Sequence, residues 1–242
     1  MSDQEALTPR TFLVRHGETE WAKSGRYTGI TDIELTPKGV RQVSSTAAKL
    51  VGTGKLVDPG RIARVFVSPR RRATKTFELL GIPPSPGAAE GEREVTYTED
   101  IAEWTYGDYE GLKTGEIRAL RKKRGLDQER EWDIWMDGCE GGESTQQVTE
   151  RLDRLISQIR KVQGPFMNGE KPVDVLVVAH GHILRCFVKR WLGYSIDFPL
   201  LMILAPGAVA VLSYKNNNVD EPAFYVGMAL PSAEDSDDIV ES

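Results

Sequence analysis

The stretch VDVLVVAH, residues 173–180, is a short apolar run, rich in valine, that ends at a histidine. Continuous apolar runs of this length are typical of strands that are buried on both faces of a sheet. The residues that follow, GHILRCFVKRWLG, have the apolar spacing of a helix that ends at Gly193. We therefore predict a buried strand and a helix, with the polar residues His180, Gly181 and His182 at their junction.

The same pattern occurs at the beginning of the chain. In TFLVRHGETEW, residues 11–21, an apolar, strand-like run leads directly into Arg15 and His16. In the later segment TPKGVRQVSSTAAKLV, Thr36 is a suitable N-cap and Pro37 suits the first helical position. This segment therefore predicts a helix after the first strand.

Further along the chain, RIARVFVS predicts a strand, and Ser68 and Pro69 predict the cap and first position of the helix RRRATKTFELL. We expect a strand around REVTYT, a helix over LKTGEIRALRKKRG, and another helix that begins at Glu143 or Ser144. The apolar stretch from Phe198, FPLLMILAPGAVAVL, is expected to be a buried strand. The segments AVAVLSYK and PAFYVG are expected to complete the strands of the chain.

This alternation of strands and helices predicts an α/β fold, a three-layer sandwich with a mostly parallel central sheet flanked by helices. We expect one domain over residues 11–230, between a flexible leader over residues 1–10 and an acidic tail over residues 231–242. In such sheets, ligands bind where the carboxyl ends of strands meet the amino ends of helices. The three polar junctions are therefore expected at one edge of the sheet.

The composition restricts the class of partner. The 242 residues include 31 basic and 36 acidic side chains, a formal net charge of −5, and much of the excess lies in the C-terminal SAEDSDDIVES. The rest of the chain is near neutral, which argues against nonspecific nucleic-acid binding. There are 2 cysteines and no apolar stretch of about 20 residues that would span a bilayer. We expect reduced thiols in a cytoplasmic protein, also compatible with the nucleus, without membrane contact. The sequence carries no signal for the oligomeric state.

The three junctions together contain a set of residues suited to phosphate, namely Arg15, His16, Arg72 and His180. Arginine offers paired donors to phosphate oxygens, and the free N–H groups at a helix amino end favour anions. A histidine can accept a phosphoryl group on a ring nitrogen while nearby cations neutralise its oxygens. Taken singly, each element has a simpler interpretation: a structural His16, a solvated basic face in RRRATKT, or two metal ligands in His180 and His182 without an evident third ligand.

The ordered motifs favour the phosphate interpretation. In chain order, LVRHGETEW, RYTGITDIELTPKG, SPRRRATKT, EWTYGDYEG, GGES and VVAHGHILR closely resemble the histidine phosphatase superfamily in its phosphoglycerate mutase-like branch. The resemblance extends over about residues 11–215. It implies a phosphoglycerate mutase-like fold, hydrolysis of phosphate monoesters of a small metabolite, and no metal or other cofactor.

Matched residue by residue, the resemblance implies a catalytic role for five side chains. His16 corresponds to the phosphorylated histidine, Arg15 and Arg72 to the phosphate-binding arginines, and His180 to the second pocket histidine. Glu103 corresponds to the acid that protonates the leaving oxygen and afterwards activates water. The residues implied to contact substrate are Tyr27, Thr28, Tyr106 and Gly181.

Within the family, GDYEGLKT, WAKSGRYTGITD, VLSYKNNNVDEPAF and the long segment from EIRALRKKRG to GGESTQQ most resemble fungal sedoheptulose-1,7-bisphosphatases. This implies a sugar bisphosphate as substrate. Arg118 and Arg121, three positions apart on one helix face, are expected to hold its second phosphate, with a solvated helix face as the alternative. The backbone N–H groups of Gly207 and Ala208 are expected to face a phosphate, with a plain turn as the alternative.

Other activities of the same family stay open, among them phosphoglycerate mutase and broad-specificity phosphatase. Mutases of this branch usually have a lysine after the Gly-Leu-Asn that follows the Tyr-Gly motif. Here EGLKTGE has Lys113 one position early and Thr114 in that place, which weakens the mutase interpretation. A binding protein with an inactive pocket is a third alternative.

Overall fold

The structure, a computed structural model, describes residues 8–82 and 94–227. Six strands form one sheet, in which four neighbouring strands pair in parallel and the last two are added at one side by antiparallel pairing, so that one strand runs opposite to the other five. The strands are β1 (Thr11–Arg15), β2 (Ile62–Val67), β3 (Glu94–Tyr97), β4 (Asp174–Ala179), β5 (Val209–Tyr214) and β6 (Pro222–Phe224). Their order across the sheet is β3-β2-β4-β1-β5-β6. The predicted mostly parallel sheet is confirmed.

Helices cover both faces of this sheet. The α-helices are α1 (Glu20–Ser24), α2 (Pro37–Leu50), α3 (Arg71–Leu80), α4 (Thr114–Lys123), α5 (Ile134–Asp137), α6 (Thr145–Gln163) and α7 (Gly181–Trp191). Successive side chains of a strand point to opposite faces. Accordingly Phe12 and Val14 pack in the core under α2 and α3, whereas Leu13 packs in the core under α6 and α7. The predicted three-layer sandwich is confirmed.

Two of the predicted helix caps are present. The Thr36 hydroxyl accepts a hydrogen bond from the Gly39 N–H at 3.0 Å, and Ser144 forms a capping box with Gln147 at the start of α6. The predicted cap at Ser68 is wrong, because α3 begins at Arg71. The Ser68 hydroxyl is instead bonded to a histidine of the site described below.

The prediction of a buried strand from Phe198 is wrong for its first part. The strand begins only at Val209. Residues 198–208 form an extended segment, in which residues 198–206 pair with no strand of the described chain, while Gly207 and Ala208 bond to the backbone of Arg15 at the end of β1. Alternate side chains in this segment face the core, as Met202 does, while Leu201 and Ile203 are 95% and 98% exposed. The segment has the alternation of a strand, but β5 already has neighbours on both sides.

The predicted leader is shorter than expected. Thr8 and Pro9 are buried, and Arg10 forms an ion pair with Asp174 at 2.8 Å, so the folded part includes residues 8–10. Residues 1–7 and the predicted acidic tail, residues 231–242, lie outside the described residues. Within the two described ranges, no helix is both long enough and apolar enough to cross a membrane.

Strand register brings the three polar junctions to one edge of the sheet. Arg15 lies opposite Ala179 in the β1–β4 pair. One residue beyond each strand, the His16 N–H donates to the Ala179 carbonyl at 2.9 Å and the Ser68 N–H donates to the Val178 carbonyl at 3.0 Å. The predicted convergence of the junctions at the carboxyl ends of β1, β2 and β4 is confirmed.

Candidate active site

A cavity of about 270 Å³ opens at this edge of the sheet. Its wall combines charged, aromatic and small residues from β1, the loops before α2 and α4, and the start of α7. Seven of the residues predicted from the sequence line it: Arg15, His16, Tyr27, Thr28, Glu103, Tyr106 and Gly181.

His16 is held in one orientation and one tautomer. Its Nδ1 lies 2.7 Å from the Gly17 carbonyl oxygen. Because a carbonyl oxygen only accepts hydrogen bonds, Nδ1 carries the proton, and Nε2 keeps a free lone pair. A Cβ on Gly17 would lie 2.5 Å from the Gly39 carbonyl oxygen, so the close approach of α2 requires glycine after the histidine.

The His16 ring is neutral. Burial and the nearby charge of Arg72 lower its pKa from 6.5 to about 3. An imidazole that stays unprotonated over the physiological range is a competent nucleophile. His16 therefore has the tautomer and the protonation state that attack on phosphorus requires.

Arg15 brings a guanidinium to the cavity with few protein partners. One terminal nitrogen donates to the Leu204 carbonyl oxygen at 2.7 Å. Its buried Nε has no partner within the described part of the chain. The flat face of the guanidinium packs on Gly181, where a Cβ would approach Arg15 to 3.2 Å, so Gly181 makes room for the arginine.

Arg72 is fully buried and donates to neutral acceptors. Its terminal nitrogens donate to the carbonyl oxygens of Thr28, Gly29 and Thr31 at 2.9 to 3.0 Å. Its Nε donates to Nδ1 of His180 at 3.0 Å. Thr28 thus acts through its backbone on the predicted phosphate arginine, and burial lowers the pKa of Arg72.

Both ring nitrogens of His180 are engaged by protein groups. Since Nδ1 accepts from Arg72, Nε2 carries the proton and donates to the Ser68 hydroxyl at 2.6 Å. Burial and the Arg72 charge hold the His180 pKa well below its usual value. Its ring centroid lies 5.1 Å from that of His16. Direct contact between His180 and a phosphate stays a prediction, and it requires Nε2 to leave Ser68.

Glu103 lies in a loop, and its carboxylate accepts three backbone N–H groups. One oxygen accepts from Trp104 at 3.0 Å and from Ile183 at 2.9 Å, and the other accepts from His182 at 3.1 Å. Two of these donors belong to the first turn of α7, whose positive dipole end faces the acid. The side chain is buried yet lines the cavity, so it can reach a bound ester.

One wall of the cavity is aromatic. Tyr27 stacks on His182 with the ring centroids 5.2 Å apart, and the Tyr106 hydroxyl lies 2.7 Å from Nδ1 of His182. Burial lowers the pKa of His182 to about 4 and raises the pKa of Tyr106. This wall is therefore uncharged and suited to the carbon frame and hydroxyl groups of a substrate.

The structure does not bring Arg121 to the cavity. Its guanidinium donates to Asp127 and to the Tyr109 hydroxyl, both at 2.7 Å, and these bonds raise its pKa. Arg118 forms an ion pair with Glu131. The expectation that both side chains point into the substrate site is wrong for Arg121.

The turn at Gly207 and Ala208 has a different role from the one expected. The Gly207 N–H lies 3.0 and 3.1 Å from the carbonyl oxygens of Arg15 and His16, and the Ala208 N–H donates to the Ala205 carbonyl. These N–H groups are thus occupied by protein acceptors and do not face a phosphate. The turn fixes the backbone of the nucleophile instead.

Seven residues that line the cavity were missing from the predicted site, among them His182 and Arg185. His182 was considered only as a metal ligand, and Arg185 was not considered. Arg185 lies four positions after Gly181, so both occupy the same face of α7, and this spacing was the available signal. The other unpredicted lining residues include Thr19, Arg26 and Thr114.

A metal site has no support in the described ranges. Residues 8–82 and 94–227 contain no group of three or more His, Cys, Asp and Glu side chains placed to hold a metal ion. The ring nitrogens of His180 are bonded to Arg72 and Ser68, and Nδ1 of His182 is bonded to Tyr106. The interpretation of these two histidines as a pair of metal ligands does not fit this arrangement.

An α/β sandwich whose sheet edge carries a buried histidine and two arginines fits one class of protein, the histidine phosphatases. The chain belongs to this class: residues 11–223 match the family described as "Histidine phosphatase superfamily (branch 1)". It is thus a phosphoric monoester hydrolase of a family that acts on small phosphorylated metabolites.

The chain is similar to several individual members of this family. The chain is 39% identical to the sedoheptulose 1,7-bisphosphatase of Saccharomyces cerevisiae over 251 residues, which covers 90% of this chain and 92% of that protein. It is 30% identical to a phosphoglycerate mutase of Schizosaccharomyces pombe, with 93% and 97% covered. Among solved structures, the product of a Mycobacterium tuberculosis open reading frame superposes with a TM-score of 0.69 at 28% identity, covering 90% of this chain and 96% of that chain.

Proposed function

We propose that this chain is a metal-independent sugar bisphosphatase that acts through a phosphohistidine at His16. The substrate that fits best is sedoheptulose 1,7-bisphosphate, and the product is sedoheptulose 7-phosphate. The observation that carries the proposal is the neutral His16 ring with Nδ1–H bonded to Gly17 and Nε2 unprotonated. The extent of the similarity to the yeast bisphosphatase supports the choice of sugar.

In the first step, Nε2 of His16 attacks phosphorus in line with the leaving sugar oxygen. The P–N bond forms as the P–O bond breaks, and negative charge spreads over the three remaining phosphate oxygens. Arg15 and Arg72 are the cations beside His16, and burial strengthens their attraction for this charge. Glu103, protonated for this step, donates its proton to the departing oxygen.

In the second step, water hydrolyses the phosphohistidine. Glu103, now a carboxylate, accepts a proton from the water as its oxygen attacks phosphorus. The P–N bond breaks, inorganic phosphate leaves, and Nε2 regains its lone pair. The same carboxyl group thus serves as acid and then as base, and the three N–H donors around it hold its charged form between the two steps.

The second phosphate of a bisphosphate needs a cation with donors to spare. Arg185 lines the cavity, and its Nε donates to the Met202 carbonyl oxygen at 3.3 Å. Within the described chain it forms no ion pair with a carboxylate. Arg26 also lines the cavity, but it is bonded to Gly111 and Glu116. We infer that Arg185 holds the unreacting phosphate, in place of Arg118 and Arg121.

Phosphoglycerate mutase is the second candidate, because a yeast mutase is 30% identical over nearly the whole chain. A mutase would return the phosphoryl group from His16 to another oxygen of the same substrate. In this chain Lys113 is the N-cap residue of α4, and Thr114 lines the cavity in its place. A cavity without that lysine favours hydrolysis over return of the phosphoryl group.

The experiment is a phosphate-release assay with sedoheptulose 1,7-bisphosphate, sugar monophosphates and 2,3-bisphosphoglycerate, in the presence of EDTA. We expect the sugar bisphosphate to be the best substrate and acid-labile phosphate to accumulate on the wild-type chain but not on His16→Ala. Activity that disappears with EDTA would refute the metal-independent mechanism. A parallel reaction contains 3-phosphoglycerate with a trace of 2,3-bisphosphoglycerate to phosphorylate His16. Isomerised phosphoglycerate without free phosphate in that reaction would establish the mutase instead.

A further inference from the structure

The loop that carries Glu103 has little regular structure of its own. It follows a single 3₁₀ turn, Glu99–Ile101, and the next helical turn begins only at Gly107. The bonds from Trp104, His182 and Ile183 orient the carboxylate, but they do not fix the path of the loop. Something else must satisfy the buried carbonyl and N–H groups of this loop.

Arg151 on α6 holds the part of the loop before Glu103. Its side chain is almost completely buried. One terminal nitrogen donates to the carbonyl oxygens of Glu99, Asp100 and Ala102, at 3.3, 3.1 and 2.8 Å. A single guanidinium thus binds three of the four carbonyl oxygens of residues 99–102, the last of which belongs to the residue immediately before Glu103.

Glu143 holds the part of the loop after Glu103. One oxygen of its carboxylate accepts from the Thr105 N–H at 2.8 Å, and its backbone exchanges a second bond with Thr105, from the Glu143 N–H to the Thr105 carbonyl at 2.8 Å. Its carbonyl oxygen also accepts from the Trp104 indole at 2.9 Å. Glu143 by itself therefore forms three hydrogen bonds with the two residues that follow Glu103.

The two residues also bind each other. Nε and a terminal nitrogen of Arg151 donate to the two carboxylate oxygens of Glu143 at 2.8 and 3.0 Å. This bidentate geometry fixes the angle between the two side chains as well as their distance. The pair therefore brackets Glu103 along the chain, with Arg151 bound to the carbonyl before it and Glu143 bound to the N–H two residues after.

We propose that the Arg151–Glu143 pair is the positioning device for the acid Glu103, a role that rests on the proposed function of Glu103. Neither Arg151 nor Glu143 lines the cavity as described, so the pair acts through the loop and not on the substrate. Proton transfer needs the carboxyl group within hydrogen-bond reach of the leaving oxygen. A displacement of about 1 Å can cost roughly 100-fold in rate.

The test uses the dependence of rate on the leaving group. A sugar alkoxide needs a proton as it departs, whereas a nitrophenolate does not. The rates are compared as kcat/KM, because kcat/KM excludes hydrolysis of the phosphohistidine, the step in which Glu103 acts as base. We expect Arg151→Met to lower kcat/KM for a sugar phosphate by about 10- to 100-fold and to change kcat/KM for p-nitrophenyl phosphate less than about threefold. The nitrophenyl rate also reports the folded fraction of the variant.

Arg154→Ala is the matched control. Arg154 lies one turn along α6 and pairs with the side chain of Asp100 in the same loop, but it is mostly exposed and binds no backbone carbonyl of that loop. We expect its removal to change both rates less than twofold. A loss equal to that of Arg151→Met would mean that any contact to this loop matters, and would overturn the proposal.

A double-mutant cycle with Glu103→Gln separates positioning from general stabilisation. If Arg151 acts only through the acid, Arg151→Met adds no loss on the sugar phosphate once Glu103→Gln is present. Additive losses would overturn positioning while leaving the acid in place. If Glu103→Gln alone slows both esters equally, the acid role fails and positioning fails with it.

Two further variants keep the test decisive. Arg151→Lys keeps a positive charge near His180, whose pKa this charge also lowers, but one ammonium group cannot reproduce the bidentate pair. We expect it to stay impaired on the sugar phosphate. If Arg151→Met does not fold, Glu143→Gln should show the same leaving-group pattern with a smaller loss, and equal losses on both esters would overturn the proposal.

Discussion

Two arginines of the cavity, Arg15 and Arg185, differ from the arginines of α4 in the groups that bind them. Arg15 and Arg185 donate to backbone carbonyl oxygens of the extended segment, residues 198–208, and form no ion pair with a carboxylate of the described chain. On α4, Arg118 pairs with Glu131 and Arg121 pairs with Asp127. A carbonyl orients a guanidinium but leaves its net charge in place, whereas a carboxylate cancels the charge.

This difference shows why the number of basic residues in a segment is a poor guide to an anion site. The α4 region contains more basic residues than the cavity wall, yet its arginines are neutralised by their neighbours. Only a cation without an acidic partner adds positive potential for a phosphate to meet. If the comparison holds, substitution of Arg15 or Arg185 changes catalysis or substrate choice, whereas substitution of Arg121 on α4 lowers stability.

The largest effect is expected for Arg15→Met. Removing one preorganised donor at a developing charge costs roughly 10²- to 10³-fold in kcat, and Arg15 is the arginine adjacent to the nucleophile. The measurement is kcat/KM on the sugar bisphosphate, with Arg118→Ala as the control from α4. Arg15→Lys should lie between Met and wild type, because it keeps the charge without the planar fork. Equal losses from Arg15→Met and Arg118→Ala would break the comparison.

Acid sensitivity provides the second prediction. The pKa of His16 is about 3 in the folded chain against 6.5 for an ordinary histidine, so the unfolded chain binds the proton first as pH falls. Stability from this group is complete above about pH 6.5 and decreases towards pH 3, by roughly 1.4 kcal/mol per pH unit at most. His16→Asn should unfold with a shallower pH dependence over that range. The measurement is the free energy of unfolding from urea titrations at a series of pH values. If wild type and His16→Asn show the same dependence of this free energy on pH, the His16 ring is not neutral.

Arg121→Ala should affect stability and not substrate choice. The variant removes the hydrogen bonds of a mostly buried guanidinium to Asp127 and Tyr109. We expect the free energy of unfolding to fall by about 2 kcal/mol. For a chain of this size this corresponds to a decrease of roughly 4 to 8 °C in Tm. The ratio of kcat/KM for sugar bisphosphate to sugar monophosphate should stay within about twofold. A large decrease in that ratio without a change in Tm would show that Arg121 contacts the substrate.

Arg185→Met should change substrate choice and not stability. A charge-assisted contact to the unreacting phosphate is worth roughly 1.5 to 3 kcal/mol, so the preference for bisphosphate over monophosphate should fall by about tenfold or more. The measurement is the ratio of kcat/KM values, with Arg118→Ala as the control. If Arg118→Ala lowers this ratio and Arg185→Met does not, the second phosphate lies on the α4 side of the cavity.

Much of the fold could be predicted because short-range patterns determine it. The apolar runs of β1 and β4 and the caps at Thr36 and Ser144 are local signals, and all depend on residues close in sequence. The extended segment was mistaken for a strand because alternation alone does not show whether a neighbouring strand exists. Pairing with another strand depends on residues far away in the sequence, so the alternation around Leu201 and Ile203 does not predict it.

The site divides in the same way. His16, Arg72, Glu103 and His180 could be proposed as site residues because their motifs are compact and occur in a fixed order, and their catalytic roles stay predictions. The contacts of Arg151 with the loop that carries Glu103 could not be predicted, because Arg151 lies about 50 residues from the carbonyls that it binds. The paired state of Arg121 was equally hidden, since it depends on the turn that carries Asp127.

The extended segment has a consequence for how this enzyme can diversify. It holds Arg15 and Arg185 through the carbonyl oxygens of Leu204 and Met202, and every amino acid supplies such an oxygen. Side chains here can therefore be exchanged over generations while the two arginines keep their orientation. The exposed positions Leu201 and Ile203 are the least constrained, so descendants of this chain can acquire a new molecular surface beside an unchanged catalytic centre.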